Sequence, residues 1–254
     1  MIRLKEYNKV NLEKMNITEK NIVGELVAQD YRMASVFKAA GVDFCCRGNR
    51  SIQEVSEQNK LQSKELIEKL NAAMTENVGA IDYDTWPLDL LIDYIEKKHH
   101  RYVEEKITEI KPYLAKIVSV HGDDHAELIK IQELFLGSAG ELTAHMKKEE
   151  LILFPFIRKM MSLNKLGEKL HAPAFGTVEN PINMMKEEHD NEGVRFRDIA
   201  ELSNNYTPPK DACNTYMVTY ALLKEFEEDL HLHIHLENNV LFPKALQMEK
   251  GLSN

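Results

Sequence analysis

Two segments of the chain carry the same arrangement of groups able to bind a cation. His145-Met-Lys-Lys-Glu149-Glu-Leu-Ile-Leu153-Phe154-Pro155 and His233-Ile-His-Leu-Glu237-Asn-Asn-Val-Leu241-Phe242-Pro243 both read HxxxExxxLFP. On a helix, residues four apart share a face with Cβ atoms roughly 5 to 6 Å apart, so an imidazole nitrogen and a carboxylate oxygen can reach one ion. Two such helices facing each other offer four ligands to a shared centre. With 10 histidines in 254 residues, chance spacing gives about one HxxxE pair. His100/Glu104 is a third instance without the extension, so the LFP at a fixed offset is what lifts the two repeats above background.

The apolar pattern indicates where these groups point. Ser138, Leu142, His145, Glu149, Ile152 and Phe156 fall on one helical stripe, and Leu223, Leu230, His233, Glu237 and Val240 on another. A salt-bridging surface face would not carry such stripes. A carboxylate inside a helical core costs several kcal/mol unless compensated, so the pattern asks for a cation. The proline six residues past each Glu removes a backbone hydrogen bond and is expected to bend the helix beside the site. His189 lies on a third stripe with Ile182, Met185 and Phe196. On the first helix, Ile92, Ile95, Val103 and Ile110 favour His99 over His100 but leave the choice open. His121 and His125 flank Gly122-Asp123-Asp124 and are assigned to solvent, while His231 and His235 point roughly 160 to 200° away from His233. Imidazole plus carboxylate without thiolate suits Fe, Mn or Zn. The order His-x-x-x-Glu differs from the Glu-x-x-His of ferritin-like carboxylate bundles.

A different chemistry sits in Asp43-Phe44-Cys45-Cys46-Arg47-Gly48-Asn49, where two thiols are adjacent. The third cysteine, Cys213, reads as a small core residue. Three cysteines, two of them neighbours, do not build a disulfide-stapled fold.

The elements that must position these groups are helices. Residues 1–75 read as a small helical domain, with helices at Asn21–Ala40, Ser51–Asn59 and Ser63–Ala73 and the thiol turn after the first. A linker follows at 76–86, around Gly79. Residues 87–250 read as four long helices, for which a four-helix bundle is the simplest packing. The first runs from Pro87 to about Ser119, with Pro112 expected to kink it. The second spans about Asp123 to Met161, with a weak point at Gly137–Gly140. The third opens with Asn180 as N-cap and Pro181 at the first helical position and ends near Asn204. The fourth follows Thr207-Pro208-Pro209 and reaches about Gln247.

Composition narrows the function classes. The chain is 43% hydrophobic, which excludes disorder, and its formal net charge of -9 argues against nucleic acid as a partner. No apolar run approaches the roughly 18 residues of a membrane span, and the amino terminus has no apolar core for secretion, so a cytoplasmic location is expected.

Together, Val23-Gly-Glu-Leu, Asp43-Phe-Cys-Cys, HMKKEE, EHDNEG and HLENNVLFP resemble the iron-sulfur cluster repair di-iron proteins, the RIC family, over nearly the whole chain. The resemblance implies an all-α fold, a small N-terminal helical domain followed by a hemerythrin-like bundle. It also implies two non-haem iron ions per chain, oxo- and carboxylate-bridged, held by four histidines and two glutamates. Motif by motif these are His145 and Glu149, His189, and His233 with Glu237. Ungapped matching from Pro87 places the remaining ligand at His100, with His99 as the alternative. The implied activity is repair of clusters damaged by nitrosative or oxidative stress through donation of iron to the damaged iron-sulfur proteins. Reduction of nitric oxide at the diferrous centre, or binding and sensing of O2 and NO, are the alternatives, and a homodimer is compatible with all three. Six ligands cannot fill two six-coordinate irons, so positions remain open, with Glu149 and Glu237 expected to bridge and Glu141 and Glu188 to support ligands or line an exit path. One departure stands out: the family's Cys-Cys-Gly-Gly is here Cys45-Cys46-Arg47-Gly48, which removes a glycine and adds a cation beside thiols that could be redox-active or inert.

Overall fold

The computed structural model describes residues 17–75 and 81–253. The chain divides into two compact units, Met1–Ile81 and Asp82–Asn254. Of the expected linker, residues 76–80 lie outside the described residues. Asp82–Trp86 instead belongs to the second unit, because buried Tyr83 packs on Trp86 and Tyr94 at ring distances of 5.0 and 6.1 Å.

In the first unit the expected helix at 21–40 is two helices, α1 (Val23–Gln29) and α2 (Met33–Ala39). The break lies at Asp30, whose extended backbone is held by its own carboxylate: Oδ1 accepts the Arg32 N–H at 3.1 Å and Oδ2 pairs with the guanidinium at 2.6 Å. A local side-chain bond of this kind outcompetes helix continuation. α3 (Ile52–Gln58) opens with a capping box between Ser51 and Glu54, and α4 (Ser63–Thr75) follows. Val23, Val27, Met33, Phe37, Ile52, Val55 and Leu70 form a fully buried core.

The second unit contains the four helical runs. The first is α5 (Leu88–Tyr94), a π-helical turn at Ile95–His100, and α6 (Arg101–His121). The second is α7 (Glu127–Lys148), a π-turn at Glu149–Leu153, and α8 (Phe154–Leu166). The third is α9 (Glu179–Leu202), and the fourth is α10 (Asn214–Leu236), a π-turn at Glu237–Leu241, and α11 (Phe242–Leu252). α6 packs on α7 and α10, and α7 on α9. Among the described residues the one extended pairing is an isolated bridge between Ile22 and Ser51.

Several local expectations change. The helical run of α6 passes through Pro112 unbroken. α9 begins before Asn180, with Val178 at the N-cap. The small residues of α7 do not weaken it but admit neighbours: the Arg195 guanidinium lies over Gly137, and buried Ser138 donates to Glu192 at 2.6 Å. Phe226 anchors the interior, edge-on to Phe135 at 5.4 Å and stacked on Phe196 at 5.5 Å.

Candidate metal centre

The two repeats owe their local geometry to Pro155 and Pro243. A proline cannot donate to the carbonyl four residues back, here Leu151 and Asn239, and in both repeats the turn containing that residue is a π-turn. The extra residue in the turn advances the register. Ile152, expected inside, is 49% exposed, and Leu153 and Phe154 are buried in its place. The π-turn at Ile95–His100 has no such proline, and its effect is to bury both His99 and His100.

Inside the bundle, His100, Glu149, His233 and Glu237 form one group of ligand-type atoms within 4.8 Å of one another, and His145, Glu149, His189 and Glu237 form a second. All six residues are buried, and the two carboxylates, shared by both groups, are fully so. His100 Nε2 and His145 Nε2 lie 3.3 and 3.4 Å from Glu149 Oε2. His189 Nε2 and His233 Nε2 lie 3.0 Å from Glu237 Oε2 and Oε1. All six residues anticipated from the sequence are thus brought together. His99 is not among them: its Nδ1 meets Asp229 Oδ2 at 3.0 Å, and its ring stacks on His233 at 5.6 Å.

Each repeat also dresses a histidine on another helix, which sequence reasoning did not anticipate. Glu150, directly after Glu149, meets His100 Nδ1 at 3.0 Å, and Phe154 stacks on the same ring at 5.8 Å. Asn238, directly after Glu237, meets His189 Nδ1 at 2.9 Å, and Phe242 stacks on that ring at 6.0 Å. The signal was present as a polar acceptor and a phenylalanine at matching offsets in both repeats. On the third helix Glu188 meets His145 Nδ1 at 2.8 Å and also pairs with Lys148. With an acceptor holding Nδ1 in these three rings, Nε2 points inward, as metal-binding imidazoles require.

The electrostatics show how the carboxylates are compensated by protons alone. Burial works against charge on both carboxylates, and Glu149 is opposed further by Glu237, yet the imidazoles keep Glu149 below its ordinary value and Glu237 well below. Burial opposes charge on His145, but Glu149 and Glu188 override it and push the ring up to about 10. For His233, burial prevails and lowers it. Both oxygens of Glu149, Glu237 Oε2 and His100 Nε2 make no well-formed hydrogen bond. Buried polar atoms left in that state are costly, and ions bound between the carboxylates would satisfy them. The buried His/Glu clusters therefore suit a di-iron site.

A cleft of about 420 Å³ reaches His145 and His189 from the surface, with Glu141, Lys148, Glu188 and Glu192 in its wall. Glu141 pairs there with Arg195 at 2.8 Å.

At the thiol turn, the Arg47 substitution causes no backbone strain. Among the described residues the non-glycine positions with positive φ are Lys60, Asn204, Asn205 and Tyr206, and Arg47 is not one of them. The remaining expectations need correction. His121 and His125 are half-buried against Tyr216, and His125 meets Asp211 at 3.1 Å. Cys213 is exposed rather than core, and its 3.3 Å bond with His121 helps lower the thiol to about 7.

Residues 91–245 match the family model described as the Hemerythrin HHE cation binding domain, and residues 19–74 match the one described as Domain of Unknown function (DUF542). The chain is 32% identical over 228 residues to the iron-sulfur cluster repair protein ScdA of Staphylococcus haemolyticus, covering 90% of this chain and 99% of that one. The chain belongs to the iron-sulfur cluster repair family. Two further family members are YtfE of Yersinia pseudotuberculosis, 36% identical over 89% of this chain and 97% of its own, and YtfE of Musicola paradisiaca, 34% identical over 92% and 100%. In this member of the repair family, no helix among the described residues is long and apolar enough to cross a membrane.

Proposed function

We propose that the chain holds two non-haem iron ions inside its bundle and repairs damaged iron-sulfur clusters by giving iron up. The ligands in this reading are His100, His145, His189 and His233, with Glu149 and Glu237 as bridges. The observation that carries it is the sharing of two buried carboxylates by two ligand groups, in a chain whose relatives bear the cluster-repair name. Iron bound there would supply one-electron chemistry and open positions for small ligands such as NO and O2. Glu150, Asn238 and Glu188 hold the Nδ1 protons and aim the opposing nitrogens at the centre. Glu149 and Glu237 carry the negative charge that holds the cations. Each ion would have two imidazoles and a share of two carboxylates, few enough anchors to permit release. The acidic cleft beside His145 and His189 offers a departing cation a favourable route. The working compartment is the cytoplasm, whose reducing poise keeps thiols such as Cys45 and Cys46 reduced.

The test incubates reduced, iron-loaded protein with an iron-depleted cluster enzyme and follows reactivation together with nitrous oxide release on adding NO. Reactivation accompanied by iron loss from the donor is the expected result. Stoichiometric nitrous oxide without reactivation would assign the centre to NO reduction. Reversible O2 or NO binding with neither product would assign it to sensing.

A further inference from the structure

Outside the bundle, one turn of the first unit gathers three metal-type ligands. Asp43, Cys45 and Cys46 follow α2, and one ligand atom from each lies within 4.8 Å of the other two. Cys45 Sγ is 3.7 Å from Cys46 Sγ and 3.3 Å from Asp43 Oδ1. Two thiolates, each about 2.3 Å from one tetrahedral ion, stand roughly 3.8 Å apart, and a thiolate and a carboxylate oxygen at about 2.0 Å stand roughly 3.5 Å apart. The turn already has the bite of a tetrahedral chelate, with thiol protons where the ion would sit.

Local hydrogen bonds hold that geometry. Asp43 Oδ1 accepts the backbone N–H groups of Cys45, Cys46 and Arg47 at 3.2, 3.0 and 3.4 Å, which keeps the carboxylate turned toward the sulfurs. The Arg50 guanidinium donates to the Arg47 carbonyl at 2.9 Å and to the Asp43 carbonyl at 3.3 Å, closing the turn from outside. Phe44, buried and edge-on to Tyr31 at 6.4 Å, anchors it from inside. Cys45 is buried while Cys46 and Asp43 are half-buried, so an ion could enter from one side. Three groups that become anions share this space, and the Cys46 bond, burial and the charges of Cys46 and Asp43 push the Cys45 thiol up. A cation removes that conflict.

We propose that Asp43, Cys45 and Cys46 form a second cation site, distinct in ligand set from the histidine-carboxylate centre and selective for a thiophilic divalent ion, Fe2+ or Zn2+. Binding displaces one proton from each thiol and transfers no electron: a 2+ ion with two thiolates and one carboxylate leaves the chelate with a net charge of -1 and sends two protons to solvent. Three protein ligands leave the fourth tetrahedral position to water or an incoming ligand. Two thiolates select against Mg2+ and Ca2+, which oxygen ligands favour.

The experiment titrates full-length, reduced, metal-free protein with Co2+, which reports sulfur ligation through a thiolate-to-cobalt charge-transfer band in the near ultraviolet. Cobalt in the bundle has only nitrogen and oxygen ligands and gives no such band, so failure of the di-iron reading is separately visible. One thiolate-ligated Co2+ per chain is expected, with two protons released for that ion. The band should vanish in Cys45→Ser and in Cys46→Ser, require at least about tenfold more cobalt in Asp43→Asn, and persist in Cys213→Ser and Glu237→Ala. Because Asp43 also closes the turn, the unaltered chain carries its own check: saturating Zn2+ should protect Cys45 and Cys46 from alkylation while Cys213 reacts, read by peptide mass mapping. No band in the unaltered chain, a band surviving loss of both Cys45 and Cys46, or equal alkylation with and without Zn2+ overturns the proposal.

Discussion

The thiol turn and the centre of the bundle both gather groups suited to a cation, and they do so by opposite routes. Asp43, Cys45 and Cys46 lie within four consecutive residues, held by backbone bonds that span at most four positions. The bundle centre draws its six side chains from four helices, and its paired carboxylates come from π-turns in two different helical runs. A local chelate depends on one turn keeping its shape. A shared centre depends on every helix arriving in register, because both groups of side chains use the same two carboxylates.

The largest effect is expected from Glu237→Ala. Because Glu237 belongs to both ligand groups, iron measured per chain should fall for both ions together, while the charge-transfer band of the turn stays unchanged. Retention of one full iron equivalent would mean the carboxylate is not shared. Next comes pH. In the iron-free chain His145 is held at about 10 against its usual 6.5, so its contribution to stability is complete below 6.5 and is lost as pH rises through 10. Glu188, lowered to about 2 by its bonds to His145 and Lys148, contributes fully above its usual 4.5 and loses this as pH falls through 2. The iron-free bundle should therefore show its highest Tm between pH 4.5 and 6.5, with stability falling on both sides. The Cys45 thiol, raised above its ordinary 9.0, costs stability only above that value, so the turn adds no acid limb. A Tm still climbing at pH 8 would break the account of the bundle.

A smaller loss is expected from Glu188→Ala, which frees His145 Nδ1 without removing a ligand. Iron affinity should drop by about 10- to 100-fold, measured by competition with a chelator, and Glu188→Gln should restore part of it because the amide oxygen still accepts. Equal losses in both variants would point to the charge of Glu188 rather than its hydrogen bond. The smallest effect belongs to the first unit. Ser51→Ala removes the side-chain half of the α3 capping box and should cost about 1 kcal/mol of stability by denaturant titration, with bundle iron unchanged.

Most of the bundle's buried His/Glu cluster was legible in the sequence because His and Glu four apart share a helix face whatever the tertiary fold. The repeated LFP marked the segments that matter. What was not legible has one recurrent cause, the π-turns. A strict 3.6-residue period puts Ile152 inside and favours His99 over His100, whereas an added residue in each wide turn exposes Ile152 and brings His100 to Glu149. Cys213 departs from its expected core position for another reason. A cysteine's usual place is the core, and only the packing of α10 against the turn near His121 leaves this one at the surface beside an imidazole.

By itself the sequence determined the long helical runs of the bundle, the two HxxxE faces and the adjacent thiol pair, because helix periodicity and turn chemistry act over a few residues. Only the tertiary structure decided that Glu149 and Glu237 serve two groups at once, that Glu150, Asn238 and Glu188 orient their imidazoles, and that His99 turns to Asp229. Those relations join residues far apart in the chain. They exist only once four helices are packed and the register of each turn is fixed.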